Sequence, residues 1–379
     1  MPISTGFQVN EILTASNTNT YLLRPYRNAV INGAMRYAQR ATSVAGITNT
    51  VAYLTADRWI TAVSGSAGIW TQTVQTLSAS DAPLVDGVRN SFRMTCTTAT
   101  PTLVGGSYAI IAQRFEGNTL QQFAKGTSLA KHFSLSFWVR ATRVGTYIAQ
   151  FYDVDNNRSV MQAYTITASN VWQKIRMTYP PDFTGLFDND NNNSFELQMW
   201  FVAGTDFQSS PLGTVWATAT NGNRATGQVN SASAVNNYFE FTAVQLEPGV
   251  VCTPFEVLSS AEELQQCQRY LFRINNTSQY EPIAAAGINQ AATNHWRTVT
   301  SIPVPMRKAL TSADFSWATL IAYDAAGILF VTAGSIVGHS NNGTMVSIDW
   351  ASAGSLTTGR PVVILTQPGA GFFQLSAEL

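Results

Sequence analysis

Charge is what this sequence has least of. Lysine plus arginine number 22 and aspartate plus glutamate 22, so the formal net charge is zero, and charged residues make up only 12% of the 379 residues. A soluble protein ordinarily carries about 25%. With no basic excess and no long basic run, the composition excludes a chain that grips nucleic acid by neutralising its phosphates. Cysteine is scarce as well. Cys96, Cys252 and Cys267 form an odd count at irregular spacing, which supports neither a disulfide framework nor a zinc site and reads as free thiols of a chain made in a reducing compartment. No apolar run approaches the roughly 18 residues that span a membrane as a helix, so no membrane insertion is expected. Met1 to Asn10 lack the basic-then-apolar order of a signal peptide. Yet 45% of the residues are hydrophobic, too many for a disordered chain.

Small polar residues fill the place of the missing charge, threonine, asparagine and glycine among them. Threonine suits strands, while asparagine and glycine suit tight turns. The local pattern agrees. Phe133 to Arg140, Phe195 to Phe201, and the Phe239/Phe241 pair alternate apolar and mostly polar residues with period two, as half-buried antiparallel strands do. Turn formers separate them at Asp153–Asn157, Tyr179–Asp182, Asp188–Asn193 and Asn221–Asn223. Many short strands punctuated in this way predict an all-β chain built of sandwiches. One segment departs from the rhythm. Ser259 and Ser260 precede Glu262 and Glu263 as overlapping capping boxes, and Leu264, Cys267 and Leu271 follow at helical spacing. The expected organisation is an N-terminal extended arm over 1–27, a jelly-roll β-sandwich over 28–257, a short connecting helix within 258–272, and a second, smaller β-sandwich over 273–379. In that last part Phe315, Trp317, Thr319, Ile321 and Tyr323 are expected on one face of one strand. Residues 1–27 show no period, and such a segment orders only on a partner.

A set of short pieces carries a resemblance. Asn28-Ala29-Val30-Ile31-Asn32-Gly33-Ala34-Met35, Gln39-Arg40, Thr55-Ala56-Asp57-Arg58-Trp59, Gln113-Arg114-Phe115-Glu116 and Leu135 to Ala141 come first. Gly145-Thr146-Tyr147, Trp172-Gln173-Lys174, Ala203-Gly204-Thr205 and Thr226 to Asn230 follow. Val244-Gln245-Leu246-Glu247-Pro248-Gly249, Thr253-Pro254-Phe255-Glu256 and Glu263 to Tyr270 end the series. In this order they resemble a module of tailed-bacteriophage virion proteins over about residues 28–272. Met306-Arg307 is similar to the portion that often trails it, and Leu271 departs from the pattern by standing where a second aromatic is usual. The resemblance implies a structural role as a tail fibre, a tail-associated receptor-binding protein or a capsid-surface decoration. It also implies a fold similar to a carbohydrate-binding jelly roll, and no catalytic motif.

Candidate sites are few. His132, His295 and His339 are scattered without metal-ligand spacing. Glu116, Asp182, Glu196, Glu240 and Glu247 are the carboxylates from which a glycoside hydrolase would need a pair; ordinary surface or fold-bearing acids are the alternative. Trp138 and Trp200 each occupy the out-of-phase position of a strand, where an indole wants a cover. Either a sugar ring stacks on them, making them carbohydrate-binding residues, or protein covers them, in a second layer or a subunit interface. The loops around Asp153 and around Asp188 and Asp190 have the oxygen-ligand spacing of a calcium site without its glycine and distal glutamate, so a structural Ca2+ and a plain turn both remain readings. Arg24, Arg27, Arg36 and Arg40 lie in a stretch without acids, as either a virion docking arm or scattered solvated arginines.

The resulting expectation is a non-enzymatic virion protein that needs no cofactor, sits on the particle surface and attaches to host glycan. Its partners would be other virion proteins and two further copies in a homotrimer, an expectation drawn from the resemblance and from the cover that Trp138 and Trp200 require. The rivals are a capsid decoration without receptor role and a polysaccharide-degrading hydrolase. The arm yields a direct expectation: removal of residues 1–27 abolishes binding to the particle in a titration, and undiminished binding by the truncated chain contradicts it.

Overall fold

The computed structural model describes residues 26–275, 278, 280–289, 294–324, 327–340, 343–367 and 371–379. Arg24 and most of the expected arm lie outside them. The chain divides into two compact units, Met1–Ser259 and Ser260–Leu379, and it is all-β apart from one α-helix and several short 3-10 turns among the described residues. No helix among them is long and apolar enough to cross a membrane.

The strands of the first unit are β1 (Ser43–Ile47), β2 (Thr50–Tyr53), β3 (Ile60–Ser64), β4 (Ile69–Thr76), β5 (Asn90–Thr98), β6 (Tyr108–Glu116), β7 (Phe133–Ala141), β8 (Gly145–Asp153), β9 (Arg158–Ile166), β10 (Gln173–Tyr179), β11 (Asn193–Ala203), β12 (Ala217–Thr218) and β13 (Tyr238–Pro248). They form two antiparallel sheets of a sandwich. One has the order β1-β4-β5-β13-β7-β10 and the other β12-β9-β8-β11-β6-β3-β2. The period-two pattern does what it predicts. Phe133, Leu135, Phe137 and Val139 of β7 join Phe195, Leu197, Met199 and Phe201 of β11 in one apolar core. Rings there meet edge-on and stacked, as Trp70 with Phe201 at 5.0 Å and Phe239 with Phe201 at 5.7 Å.

The first described residues complete this sandwich. β13 carries a bulge between Thr242 and Gln245, with Ala243 at φ 52°. Past the bulge its free edge is taken by residues 28–33. Ala29 N–H donates to Leu246 O (2.8 Å) and Val244 N–H to Gly33 O (3.0 Å). Asn28 ties both sides, its Nδ2 donating to Val244 O (3.0 Å) and its Oδ1 accepting from Leu246 N–H (2.9 Å). Asn32, buried, donates to Tyr37 O (2.8 Å) and Asp57 O (3.0 Å) and accepts from Tyr37 N–H (3.0 Å). Gln113 of the opposite sheet exchanges two 2.8 Å bonds with the Ile31 backbone. Glu256 accepts from the N–H groups of Tyr26 and Asn28, both at 2.9 Å. These are the very residues that carry the sequence resemblance, and their work is structural.

The second unit begins with α1 (Ser260–Gln268), where the capping-box serines and glutamates placed a helix. The helix falls within this unit. Its strands are β14 (Leu271–Asn275), β15 (Pro282–Ile288), β16 (His295–Ser301), β17 (Phe315–Ala318), β18 (Leu320–Asp324), β19 (Gly327–His339), β20 (Met345–Ser352), β21 (Pro361–Thr366) and β22 (Phe372–Ser376). The unit is smaller and all-β as expected, but its layout differs from two open facing sheets. Six strands close into a barrel, β15-β16-β20-β19-β18-β21, beside a three-stranded sheet, β14-β22-β17. Register shifts at Val331/Ala333 and Ile336/Gly338 bend the 13-residue β19, and such bulges are what let a sheet curl shut. The expected single strand from Phe315 to Tyr323 is in fact two. Thr319, at φ 55°, breaks it and reverses its phase. Phe315 and Trp317 pack on the core before the break, Leu320 and Ala322 after it, and Tyr323 points to solvent.

The residues at the β13 edge generate a test. Replacing Asn32 by Ala removes three hydrogen bonds, to Tyr37 O, Asp57 O and Tyr37 N–H, and a buried polar group that loses its partner typically costs about 1–3 kcal/mol. Gly33→Ala places a Cβ 2.2 Å from Val244 O and must push two backbones apart. Both variants are expected to lower the urea midpoint of the first unit, measured by tryptophan fluorescence, with Gly33→Ala at least as severe. A Gly33→Ala chain of wild-type midpoint contradicts the packing.

Candidate functional site

Each sheet of the sandwich has an outer face, and the two carry different chemistry. On the seven-stranded sheet, the residues of β11 that alternate with its core positions are Glu196, Gln198 and Trp200. Strand register sets Glu196 between Arg114 of β6 and Tyr152 of β8, and Gln198 between Ala112 and Gln150. The polar side chains are bonded into one set. Arg114 Nε donates to Glu196 Oε1 (2.8 Å), and Gln198 Nε2 donates to Glu196 Oε2 (2.6 Å). Arg224 reaches in from the long excursion after β11, its Nη2 donating to Gln198 Oε1 (2.8 Å) and its Nε to Gln150 Oε1 (3.1 Å). Gln198 and Gln150 are buried, while the Arg114 side chain is 29% exposed and Tyr152 half-buried. The Gln150 Nε2 group is shielded from water and has no partner among the described residues. Burial pulls the Arg224 pKa below its ordinary value despite the nearby Glu196 charge.

Trp200 stands at the closed end of this face and corrects an expectation. It is 1% exposed, covered by Phe207, Leu212 and Ala225 of the excursion. Its Nε1 donates to Gln150 Oε1 (3.0 Å), and the Arg224 guanidinium lies 5.0 Å from its ring. No sugar can stack there. Removing such a ring takes away core, at about 3–5 kcal/mol.

Trp138 lies on the outer face of the six-stranded sheet and is half-buried. The 3-10 turn Ala82–Asp86 of the same chain reaches it through Asp86, and Leu84 of that turn packs on the same small apolar cluster as the indole. Trp138 Nε1 donates to Asp86 Oδ2 (2.6 Å), and Lys174 Nζ is 5.6 Å from its ring. Around it Glu240 accepts from Arg93 (2.7 Å) and Arg140 (2.8 Å), Asp81 accepts from Arg140 (3.0 Å) and Trp172 Nε1 (2.9 Å), and Arg140 lies 4.5 Å over the Trp172 ring. Both indoles are thus covered from within one chain, and the inference of a trimer from their exposure falls away.

The other expected sites disperse. Arg36 donates to Leu258 O (3.3 Å) and Arg40 lies 5.6 Å over Tyr53, so both serve the fold; Arg27 is half-buried beside them in sequence. Asp190 accepts from Asn192 N–H (2.9 Å) and its side-chain amide, and the Asp188 N–H donates to Asp155 Oδ2 (2.9 Å). The first two are turn bonds, and the last joins the loop after β8 to the loop before β11. No group of three His, Cys, Asp or Glu side chains gathers as metal ligands among the described residues. Of the five carboxylates considered for hydrolysis, Glu116 is buried, Glu196 and Glu240 are tied to arginines, Asp182 to Arg158 (2.8 Å) and Glu247 to Thr253 (2.7 Å).

Sequence reasoning had named Glu196 and missed Arg114, Gln150, Tyr152, Gln198 and Arg224. The first four sit at out-of-phase strand positions and were within reach of the same alternation. Arg224 carried no local signal, because only the fold returns its loop to the sheet.

No protein-family model matches the chain, and no curated protein matches it. Among solved structures, the enzymatically active domain of tailspike protein 4 of bacteriophage CBA120 is similar at 15% identity over 60% of this chain and 22% of that one, with a TM-score of 0.31. TmCBM61 in complex with β-1,4-galactotriose is similar at 8% identity, over 59% of this chain and 99% of that one, with a TM-score of 0.29. The family 11 carbohydrate-binding module from Clostridium thermocellum is similar at 10% identity, over 56% and 99%, with a TM-score of 0.25.

Asp81 offers a test of the covered face. Burial alone would raise its pKa, but hydrogen bonds from Ser78 and Trp172 and the Arg140 charge carry it below 3.8. A carboxyl depressed by folding contributes stability above its unfolded value and loses it as pH falls through the folded one. The stability gap between wild type and Asp81→Asn is therefore expected to be full above pH 3.8 and to close in more acid buffer. A gap that widens on acidification contradicts the assignment.

Proposed function

We propose that this chain is a structural protein of a tailed-phage particle that binds a host-surface polysaccharide on the outer face of its seven-stranded sheet, without cleaving it. The observation that carries the reading is the bonded set of Arg114, Glu196, Gln198, Gln150 and Arg224, with Tyr152 beside it. Sugars are recognised by planar polar groups that meet adjacent hydroxyls, with a ring available for a C–H face. Side chains already held by one another lose little rotamer freedom when a ligand arrives. Within the set two guanidinium groups stand against one carboxylate, which favours an anionic sugar. The binding reading gains support from Glu196, Glu240 and Asp182, which are held by arginines rather than poised as an acid and a base.

The virion role is supported by the residue pattern shared with phage virion modules. Under this reading the segment before Tyr26 docks on a neighbouring virion protein at the tail, and copies assemble as a homotrimer. Several weak sugar sites then act together, because tethering raises their effective concentration. A place on the capsid facets instead would support the decoration role.

Affinity electrophoresis through host-surface polysaccharide tests the site. The wild-type chain is expected to be retarded, and Arg114→Ala and Tyr152→Ala are each expected to weaken binding about tenfold, equivalent to about 1.4 kcal/mol. The polysaccharide is expected to keep its length. Folded variants retarded like wild type contradict the site, and shortened polysaccharide contradicts binding without cleavage.

A further inference from the structure

We propose that Lys125 and Asp153 condense with one another to form an intramolecular isopeptide bond inside the first unit. The two residues meet where the loop before β7 passes the end of β8. Both side chains are fully buried, and the Lys125 ammonium touches Asp153 Oδ2. A second acid stands at the same nitrogen: Asp182 Oδ2 is 3.2 Å from Lys125 Nζ and its side chain is 4% exposed. The walls are aromatic, with Phe187 at 4.9 Å and Trp216 at 5.3 Å from Nζ. The other carboxylate oxygen, Asp153 Oδ1, accepts from Asn156 N–H (3.1 Å), and Asn156 Nδ2 straddles the carboxylate, 3.2 Å from Oδ1 and 3.0 Å from Oδ2. An amine, a carboxyl, a proton-transfer group and a backbone donor at the oxygen that would carry charge are thus assembled in a site closed to water.

The chemistry balances without any further reactant. The ammonium gives one proton to the Asp153 carboxylate across their contact, leaving a neutral amine and a neutral acid. Nζ adds to Cγ, and the charge that develops on Oδ1 is held by the Asn156 backbone N–H, with the Asn156 side-chain amide shared between the two oxygens, as an oxyanion is held. Asp182 takes the proton released from Nζ and passes it to Oδ2. The Cγ–Oδ2 bond breaks, water leaves and the amide remains. Its one N–H keeps the Gly185 carbonyl as acceptor, which the ammonium already contacts.

Two features favour the product. A buried ion pair carries the desolvation of both charges, and a neutral amide removes it. The remaining Asp182 keeps its counter-ion, since Arg158 donates to both its oxygens at 2.8 Å. Burial pushes the Asp153 carboxyl up beyond what its Lys125 bond takes back, whereas at Asp182 the Arg158 bond and the Lys125 charge outweigh burial and hold the carboxyl down.

The test is the mass of the full chain, purified, denatured and digested. The wild-type chain is expected to weigh one water less than its sequence and to yield a branched peptide joining Lys125 to Asp153. Lys125→Arg and Asp153→Ala are expected to keep their full sequence mass, and Asp182→Ala to show a reduced crosslinked fraction. Because the wild-type peptide map is decisive by itself, a variant that fails to fold does not blunt the test. Linear peptides carrying free Lys125 and Asp153 overturn the proposal, and so does a lost water without the branched peptide, as an imide at Asp86-Gly87 would give.

Discussion

The first unit depends on the backbone hydrogen bonding of residues 28–33 along the edge of β13. A sandwich whose last strand bulges at Ala243 leaves a row of amides and carbonyls facing nothing, and a buried backbone group without a partner is expensive. The opening segment supplies those partners. Asn28, Asn32 and Gln113 use side-chain amides where a regular ladder has run out, and Glu256 closes the end of the segment from outside. The bond from Gln113 ties the Ile31 backbone to the opposite sheet, beside other links between the sheets such as Tyr179 OH to Ala149 O (3.0 Å). Because successive strand residues point to opposite faces, pinning Gln113 on the inner side also fixes Arg114 on the outer side. The proposed sugar face is thereby set by an interaction on the far side of its own strand.

A chain with so little charge spends it in clusters. On the six-stranded sheet, Arg93, Arg140 and Lys174 neutralise Glu240, Asp81 and Asp86 while lying over Tyr238, Trp172 and Trp138. On the seven-stranded sheet, Arg224 lies over Trp200 and Phe207 while bonding two glutamines. Cations over aromatic faces let large rings sit outside the main core without presenting bare apolar surface. The two faces differ in what remains open. The turn at 82–86 closes over Trp138, whereas on the other sheet the closure stops at Trp200 and leaves Arg114 and Tyr152 in contact with solvent.

Much of this was legible in the residues. Period two placed β7 and β11 with their core positions, the serine and glutamate pairs placed α1, and asparagine and aspartate clusters placed the turns. The alternation also marked Trp138 and Trp200 as outward residues that need a cover. What covers them was not legible, because the answer comes from segments about 50 residues before Trp138 and from the excursion after β11, and local pattern carries no information about such returns. The break at Thr319 was missed for a related reason. A threonine in the left-handed region is uncommon, and nothing in its neighbours announces a change of sheet, so a run that alternates evenly on paper reverses its faces in space. Closure of the second unit's barrel depends on register shifts in β19, which composition does not encode. The motif pieces were recognised as a pattern but not as a mechanism, and only in three dimensions do Asn28, Asn32, Gln113 and Glu256 come together.

In the proposed complex the open half of the seven-stranded sheet meets the ligand. Hydrogen exchange measured along the chain with and without host polysaccharide addresses it most directly. Added protection is expected in the segments around Arg114, Tyr152, Glu196–Gln198 and Arg224. Protection confined to the six-stranded sheet around Trp138, or to the second unit, would contradict it.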